Sequence, residues 1–179
     1  MNQTLHLFSA SCFLASYALI AFNPIAAAFL GWVVAMWSRQ IGHFFFEPKG
    51  FDRVNRVTFE HKEEVKVGYN LQRKIALLIA WLSVPAALWL SPAFFGLFSL
   101  ADGRSYLDRL GILWWLLAFA GLLLRTLWLC GTRNVQTGVV WFTKILTDPF
   151  HDVMMYHKAP LFLLKGQWLD PMEHVQDSH

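Results

Sequence analysis

The sequence has few charged residues and very little cysteine. Only 15% of its 179 residues are charged, and it has two cysteines, Cys12 and Cys130. Both cysteines lie inside apolar stretches, far apart in the chain and outside any C-x-x-C motif, so we do not expect a disulfide framework. The net charge of +3 is small, and we expect no nucleic acid partner.

Apolar and aromatic residues are abundant by contrast. Hydrophobic residues make up 56% of the chain, with 16 Phe and 9 Trp, and the mean hydropathy is +0.40. These residues are concentrated in runs of about twenty, which is the length that an α-helix needs to cross the hydrocarbon core of a bilayer. The composition therefore predicts an integral membrane protein.

Four apolar runs predict four membrane-spanning helices, at residues 5–22, 25–46, 75–98 and 110–130. Asn23 and Pro24 form a short turn between the first two. The predicted fold class is all-α: a four-helix membrane bundle made of two helical hairpins, with further helices at the cytoplasmic interface. We expect a single domain over residues 1–179, with a polar loop at 47–74 and a tail at 131–179.

The distribution of Lys and Arg predicts the orientation of these spans. The loop at 47–74 contains seven of the fifteen Lys and Arg residues, whereas the 99–109 loop contains only Arg104 and Arg109. By the positive-inside rule, both termini and the 47–74 loop should be cytoplasmic. We expect a multi-pass protein, located in the inner membrane if the source is bacterial.

The end of the second run contains a polar stripe. Arg39, His43 and Glu47 are spaced by four, so they share one face of a helix. An Arg–His–Glu face is costly against lipid and should point into the bundle. Imidazole and carboxylate groups are suitable ligands for non-haem iron, manganese or zinc. The alternative is an ordinary pair that stabilises a helix end.

Two further clusters lie on the same predicted side of the membrane. In the loop, Glu60, His61 and Glu64 share one turn if 56–67 is helical. In the tail, His151, Asp152 and His157 lie among apolar residues, close to Asp148. The alternatives are a solvated surface helix for the loop and interfacial histidines reaching toward water for the tail. Because His151 and His157 are six apart, one of them is expected to orient a ligand rather than bind metal.

Together the clusters predict a metal centre at the cytoplasmic mouth of a small membrane domain. We expect the metal ligands to come from His43, Glu47, Glu60, His61, Glu64, His151, Asp152 and His157. Glu47, Glu64 and Arg39 are the predicted catalytic residues. Either Arg39 or the Lys and Arg residues of the loop are suited to hold a substrate carboxylate or phosphate. Walls of Phe and Trp can hold an acyl chain and exclude water.

The segment "IGHFFFE" at 41–47 resembles the "GH-x-x-FE" segment of the Mpo1-like family of small four-helix membrane proteins. The matching residues are Gly42, His43 and Glu47. That family includes an iron-dependent dioxygenase that shortens 2-hydroxy fatty acids, so the resemblance implies iron and a lipid substrate. The family also has an early His-x3-Asn-x3-His motif, and here only His6 lies in that region.

A broader similarity is to membrane fatty-acid hydroxylases and desaturases, which share the plan of two hairpins with cytoplasmic histidines. Those enzymes have paired HH motifs, and this chain has none. A site for two metal ions would therefore need glutamates in place of histidines.

The predicted function is that of a non-haem iron oxygenase, of hydroxylase or dioxygenase type, acting on a lipid or other apolar substrate. It would hold one or two iron ions, with manganese or zinc as weaker alternatives, and would work with an electron donor or a larger membrane complex. Two alternatives stay open: a non-enzymatic accessory subunit of such a complex, and a haem protein with two histidine ligands.

Overall fold

The computed structural model describes residues 1–47, 50, 51, 58, 60, 61 and 71–171. Its regular secondary structure within these residues is helical throughout. The helices are α1 (Asn2–Ile20), α2 (Pro24–Phe29), a π-helical segment (Leu30–Ala35), α3 (Met36–Phe45), α4 (Leu71–Leu90), α5 (Tyr106–Thr132), α6 (Val135–Tyr156) and α7 (Ala159–Leu164).

Three of the helical stretches are long and apolar enough to cross a membrane. They are Asn2–Ile20, Pro24–Phe45 and Tyr106–Thr132, and they correspond to the first, second and fourth predicted runs. The third run differs, because its apolar helical part, Ile75–Leu90, is shorter. The chain leaves the helix before Pro92, which disfavours helical geometry in the residue before it.

The first two candidate spans pack closely in opposite directions. Ser16 of α1 donates a hydrogen bond to the Ala27 carbonyl oxygen (2.8 Å), and Ser9, nearer the start of α1, donates to the Ala35 carbonyl oxygen (2.7 Å). Ser9, Ala27 and Ala35 are fully buried. Small side chains let two helix backbones approach, and hydroxyl groups can then bond to backbone carbonyls in an apolar environment.

Helix α6 differs from the sequence-based expectation for the tail. We expected short interfacial segments after residue 131, but Val135–Tyr156 forms one helix of 22 residues. It packs along both α1 and α5. The Tyr17 hydroxyl lies 3.3 Å from the Leu146 carbonyl oxygen, and His6 lies beside Asp152, so α6 runs in the opposite direction to α1.

Aromatic side chains attach α4 to the rest of the molecule. The Trp81 ring of α4 stacks on Trp114 of α5 at 5.6 Å and meets the edge of Trp37 in α3 at 5.5 Å. Trp114 also contacts the edge of Phe29. This cluster forms the core, whereas many apolar side chains on the outer face of α5, such as Leu124 and Leu127, are exposed. Such a face is suited to lipid rather than to water.

Most of the polar loop lies outside the described residues. The predicted helix at 56–67 is represented there only by Thr58, Glu60 and His61, and Glu64 is not among the residues described. The prediction that this segment packs against the cytoplasmic mouth therefore stays a prediction.

Candidate metal centre

Three potential metal ligands meet where α1 begins and α3 ends. His6, His43 and Glu47 each place a ligand atom so that these atoms lie within 4.8 Å of one another, the one such group among the residues described. His6 and His43 are more than nine-tenths buried. The cluster could therefore bind a metal ion, and it contains both residues of the sequence-predicted His43–Glu47 pair.

His43 and Glu47 meet at the end of α3. His43 lies in the last turn of the helix, and Glu47 is the second residue after the helix ends at Phe45, beyond Phe46, whose φ of −127° is no longer helical. The Nδ1 atom of His43 lies 2.9 Å from Oε2 of Glu47, and both side chains are buried. The Asn2 side chain also donates to Glu47 Oε2, at 2.7 Å, which ties this carboxylate to the first turn of α1.

The antiparallel packing of α1 brings His6 to the pair. The imidazole rings of His6 and His43 are 4.6 Å apart between centroids and nearly perpendicular. The Tyr156 ring of α6 contacts the other side of the His6 ring at 5.8 Å. Three helices thus enclose the cluster: α1 contributes His6, the end of α3 contributes His43 and Glu47, and α6 closes it.

A buried ion pair lies next to the cluster. The guanidinium of Arg39 is 2.9 Å from Oδ2 of Asp152, and Nδ1 of His6 is 3.9 Å from the same oxygen. Burial acts to raise the pKa of the Asp152 carboxyl, but the neighbouring His6 imidazole and the Arg39 guanidinium outweigh it and hold that pKa below its ordinary value. Asp152 therefore stays ionised at neutral pH and fixes a negative charge beside His6.

The donor set is compatible with a bound metal ion. Nδ1 of His6 and Oδ1 of Asn2 are both buried and have no hydrogen-bond partner, and buried polar atoms are normally satisfied. The 2.9 Å between His43 and Glu47 is also close to the separation of about 3 Å expected for two ligand atoms at right angles, each about 2.1 Å from one ion.

Within the described part of the chain, the other predicted site residues do not join this cluster, and Glu64 lies outside that part. Asp152 and Arg39 lie beside it, as described. Glu60 and His61 are exposed, and the His61 backbone N–H donates a hydrogen bond to the Thr58 hydroxyl oxygen at 3.2 Å.

In the tail, His151 is exposed, whereas the adjacent Asp152 is buried. His151 lines an open groove of about 400 Å³ with Lys144 and Asp148, which are paired with each other at 2.9 Å. His157 is also exposed, and its ring nitrogen Nδ1 lies 2.8 Å from the Met154 carbonyl oxygen. The structure therefore brings one carboxylate of the tail, rather than its histidines, to the cluster.

Sequence reasoning missed His6 and Asn2 as site residues. The short turn at 23–24 could have indicated them. A short turn between antiparallel helices places residues near the start of the first helix opposite residues near the end of the second. His6 is then close to His43, and Asn2 is close to Glu47.

No family model matches this sequence, and no curated protein or solved structure matches the chain.

Proposed function

We propose that this protein is a membrane-embedded, non-haem iron-dependent oxygenase that acts on a lipid or another apolar substrate at the cytoplasmic face. The observation that carries the proposal is the buried cluster of two imidazoles and one carboxylate, His6, His43 and Glu47, at the ends of apolar helices. Two histidines and one carboxylate with open coordination positions are the ligand set of many non-haem iron oxygenases.

The residues of the cluster have separable roles in this proposal. His6, His43 and Glu47 would hold the ion, and the iron would supply one-electron chemistry toward molecular oxygen, with the electrons coming from the substrate or from the proposed electron donor. Asn2 orients the Glu47 carboxylate, and Asp152, held by Arg39, fixes the position and charge environment of the His6 ring. Three protein ligands favour one ion over two, and manganese and zinc use the same donor types.

The surroundings of the cluster support an apolar substrate. Phe44 and Phe45 lie next to His43 in the sequence and are 40% and 76% exposed. They give an acyl chain a surface on which to lie beside the cluster. The Arg39 side chain is about one quarter exposed, so it could also contact an anionic head group while it is paired with Asp152.

The proposal includes the membrane arrangement expected from the sequence: a four-helix bundle of two hairpins, with both termini cytoplasmic. Support comes from the antiparallel packing of α1 against Pro24–Phe45 and from the exposed apolar faces. The proposal also includes an electron donor or a larger membrane complex as partner.

The haem alternative is less well supported by the geometry. Two axial histidines must lie on opposite faces of a planar haem. The His6 and His43 rings are only 4.6 Å apart, which leaves no room for a haem between them. Of the tail histidines that could pair with His43 in this alternative, His151 and His157 are exposed, and His174 and His179 lie outside the described residues.

The proposal can be tested without knowing the substrate. We expect protein purified without oxygen and loaded with Fe²⁺ to bind nitric oxide and to give the electron paramagnetic resonance signal of a high-spin iron nitrosyl, which reports an open position at non-haem iron. Glu47→Gln should weaken iron binding by about 10-fold or more, while the exposed Glu60→Gln serves as the matched control. No nitrosyl signal in the wild type, or equal signals in both variants, would refute the proposed centre.

A further inference from the structure

The segment at residues 168–170 is bound to the first turn of α1, immediately beside the cluster. The Gln3 side chain donates from Nε2 to the Asp170 carbonyl oxygen at 2.9 Å, and its Oε1 accepts the Asp170 backbone N–H at 2.7 Å. Both residues are almost completely buried, at 5% and 2% exposed. A primary amide carries a donor and an acceptor side by side, so the Gln3 side chain can bind the backbone N–H and C=O of one residue together.

The same segment also touches the other helix of the cluster. The Trp168 ring lies 6.2 Å from the ring of Phe46, the residue directly before Glu47. On α1, Gln3 follows Asn2 and precedes His6 by three residues, so it belongs to the same helical turn as the site. Residues 168–170 therefore contact the neighbours of ligands on both helices, although they lie more than 120 residues away from either helix in the sequence.

We propose that residues 168–170 form a clip that holds the start of α1 and the end of α3 in register, with Gln3 as the positioning residue that attaches the clip. The inference rests on the proposed metal centre and adds a control on its geometry. Without the clip, the first turn of α1 is free to fray, because the first amides of a helix have no partners within the helix. Asn2 and His6 would then lose their fixed positions relative to Glu47.

A hydrogen bond pair that only stabilised the fold would behave differently from a clip. Breaking it would lower the melting temperature without changing how the remaining folded protein binds metal. A positioning role instead predicts an effect on the ligand geometry itself. Co²⁺ is a suitable probe, because its visible spectrum reports the number and arrangement of its ligands and the metal can be titrated alone.

Gln3→Met keeps the length of the side chain and removes both hydrogen bonds. We expect it to weaken Co²⁺ binding by about 10-fold and to change the visible spectrum of the bound ion. Ser11→Ala is the matched control on the same helix, since Ser11 is exposed and bonds only to the Leu7 carbonyl oxygen of its own helix. It should leave both the affinity and the spectrum unchanged.

Trp168→Ala tests the other contact of the clip and covers the case in which Gln3→Met does not fold. It should shift Co²⁺ binding in the same direction by a smaller factor. If the wild type binds Co²⁺, and Gln3→Met and Trp168→Ala bind it with the same affinity and spectrum, the clip is refuted while the metal centre stands. If the wild type binds no Co²⁺, both are refuted.

Discussion

At the scale of single residues, the site combines one local pair with ligands that only the tertiary fold provides. The pairing of His43 and Glu47 could be predicted because a spacing of four residues is a local property of the sequence, although the helix ends at Phe45, before Glu47. His6 and Asp152 approach them through the packing of α1 and α6. The sequence predicted His151 and His157 of the tail as metal ligands. In the structure Asp152 is buried, whereas His151 is exposed.

Gly42 shows how closely α1 and α3 approach at the site. A Cβ atom at this position would lie 2.5 Å from Oδ1 of Asn2 and 3.6 Å from Cδ2 of His6. We expect Gly42→Ala to displace Asn2 from Glu47 and to weaken Co²⁺ binding by about 10-fold or more, the usual effect of losing a group that orients a ligand. Titration with Co²⁺ measures this directly.

The matched control is Gly121→Ala in α5, where an added Cβ would meet nothing within 4 Å. This change should leave Co²⁺ binding unchanged, because it removes a glycine from a helix without creating a contact. Normal Co²⁺ binding by Gly42→Ala would show that the close approach at Asn2 has no role in the site.

At the scale of helices, hydropathy located α1, Pro24–Phe45 and α5, because long apolar runs are the strongest signal that a sequence contains. Their ends moved by only a few residues, as is usual for helix boundaries. The predicted third span, at 75–98, is longer than the apolar helix that the structure shows, Ile75–Leu90. An apolar composition continues to Phe98, but the chain turns after Leu90, where Phe94, Phe95 and Gly96 all have positive φ.

Helix α6 was harder to predict for a different reason. Its apolar stretches are interrupted by Lys144 and Asp148, and Pro149 lies inside it. Each apolar stretch is too short to span a membrane, and a proline within a helix lacks the amide that would bond to the preceding turn. Packing against α1 and α5 holds the helix continuous, and packing of this kind is not visible in local sequence.

At the scale of the whole molecule, the proposed arrangement places the 47–74 loop in the cytoplasm and the 99–109 loop outside. It can be checked by labelling single cysteines in intact cells, in a Cys12→Ala/Cys130→Ala background. Ala101→Cys should react with an impermeant maleimide, whereas Gly50→Cys should react only after the membrane is opened. The probe is placed at Ala101 rather than at the nearby Gly103 of the same loop. Gly103 has a φ of 69°, which disfavours a side chain.

Labelling of Gly50→Cys from outside intact cells would contradict the orientation. It would also place the cluster on the outer face, since Glu47 is only three residues from Gly50. The metal centre itself does not depend on this result, because its ligands are defined by contacts within the molecule.

The central claim is that His6, His43 and Glu47 together hold one metal ion. The most direct test is the metal content of purified protein, determined by mass spectrometry for the wild type, His6→Ala and His151→Ala after equal exposure to Fe²⁺ without oxygen. We predict about one bound ion in the wild type and in His151→Ala, and loss of most of the metal in His6→Ala, with helix content unchanged. The account is contradicted if His6→Ala retains the metal, or if the wild type binds none.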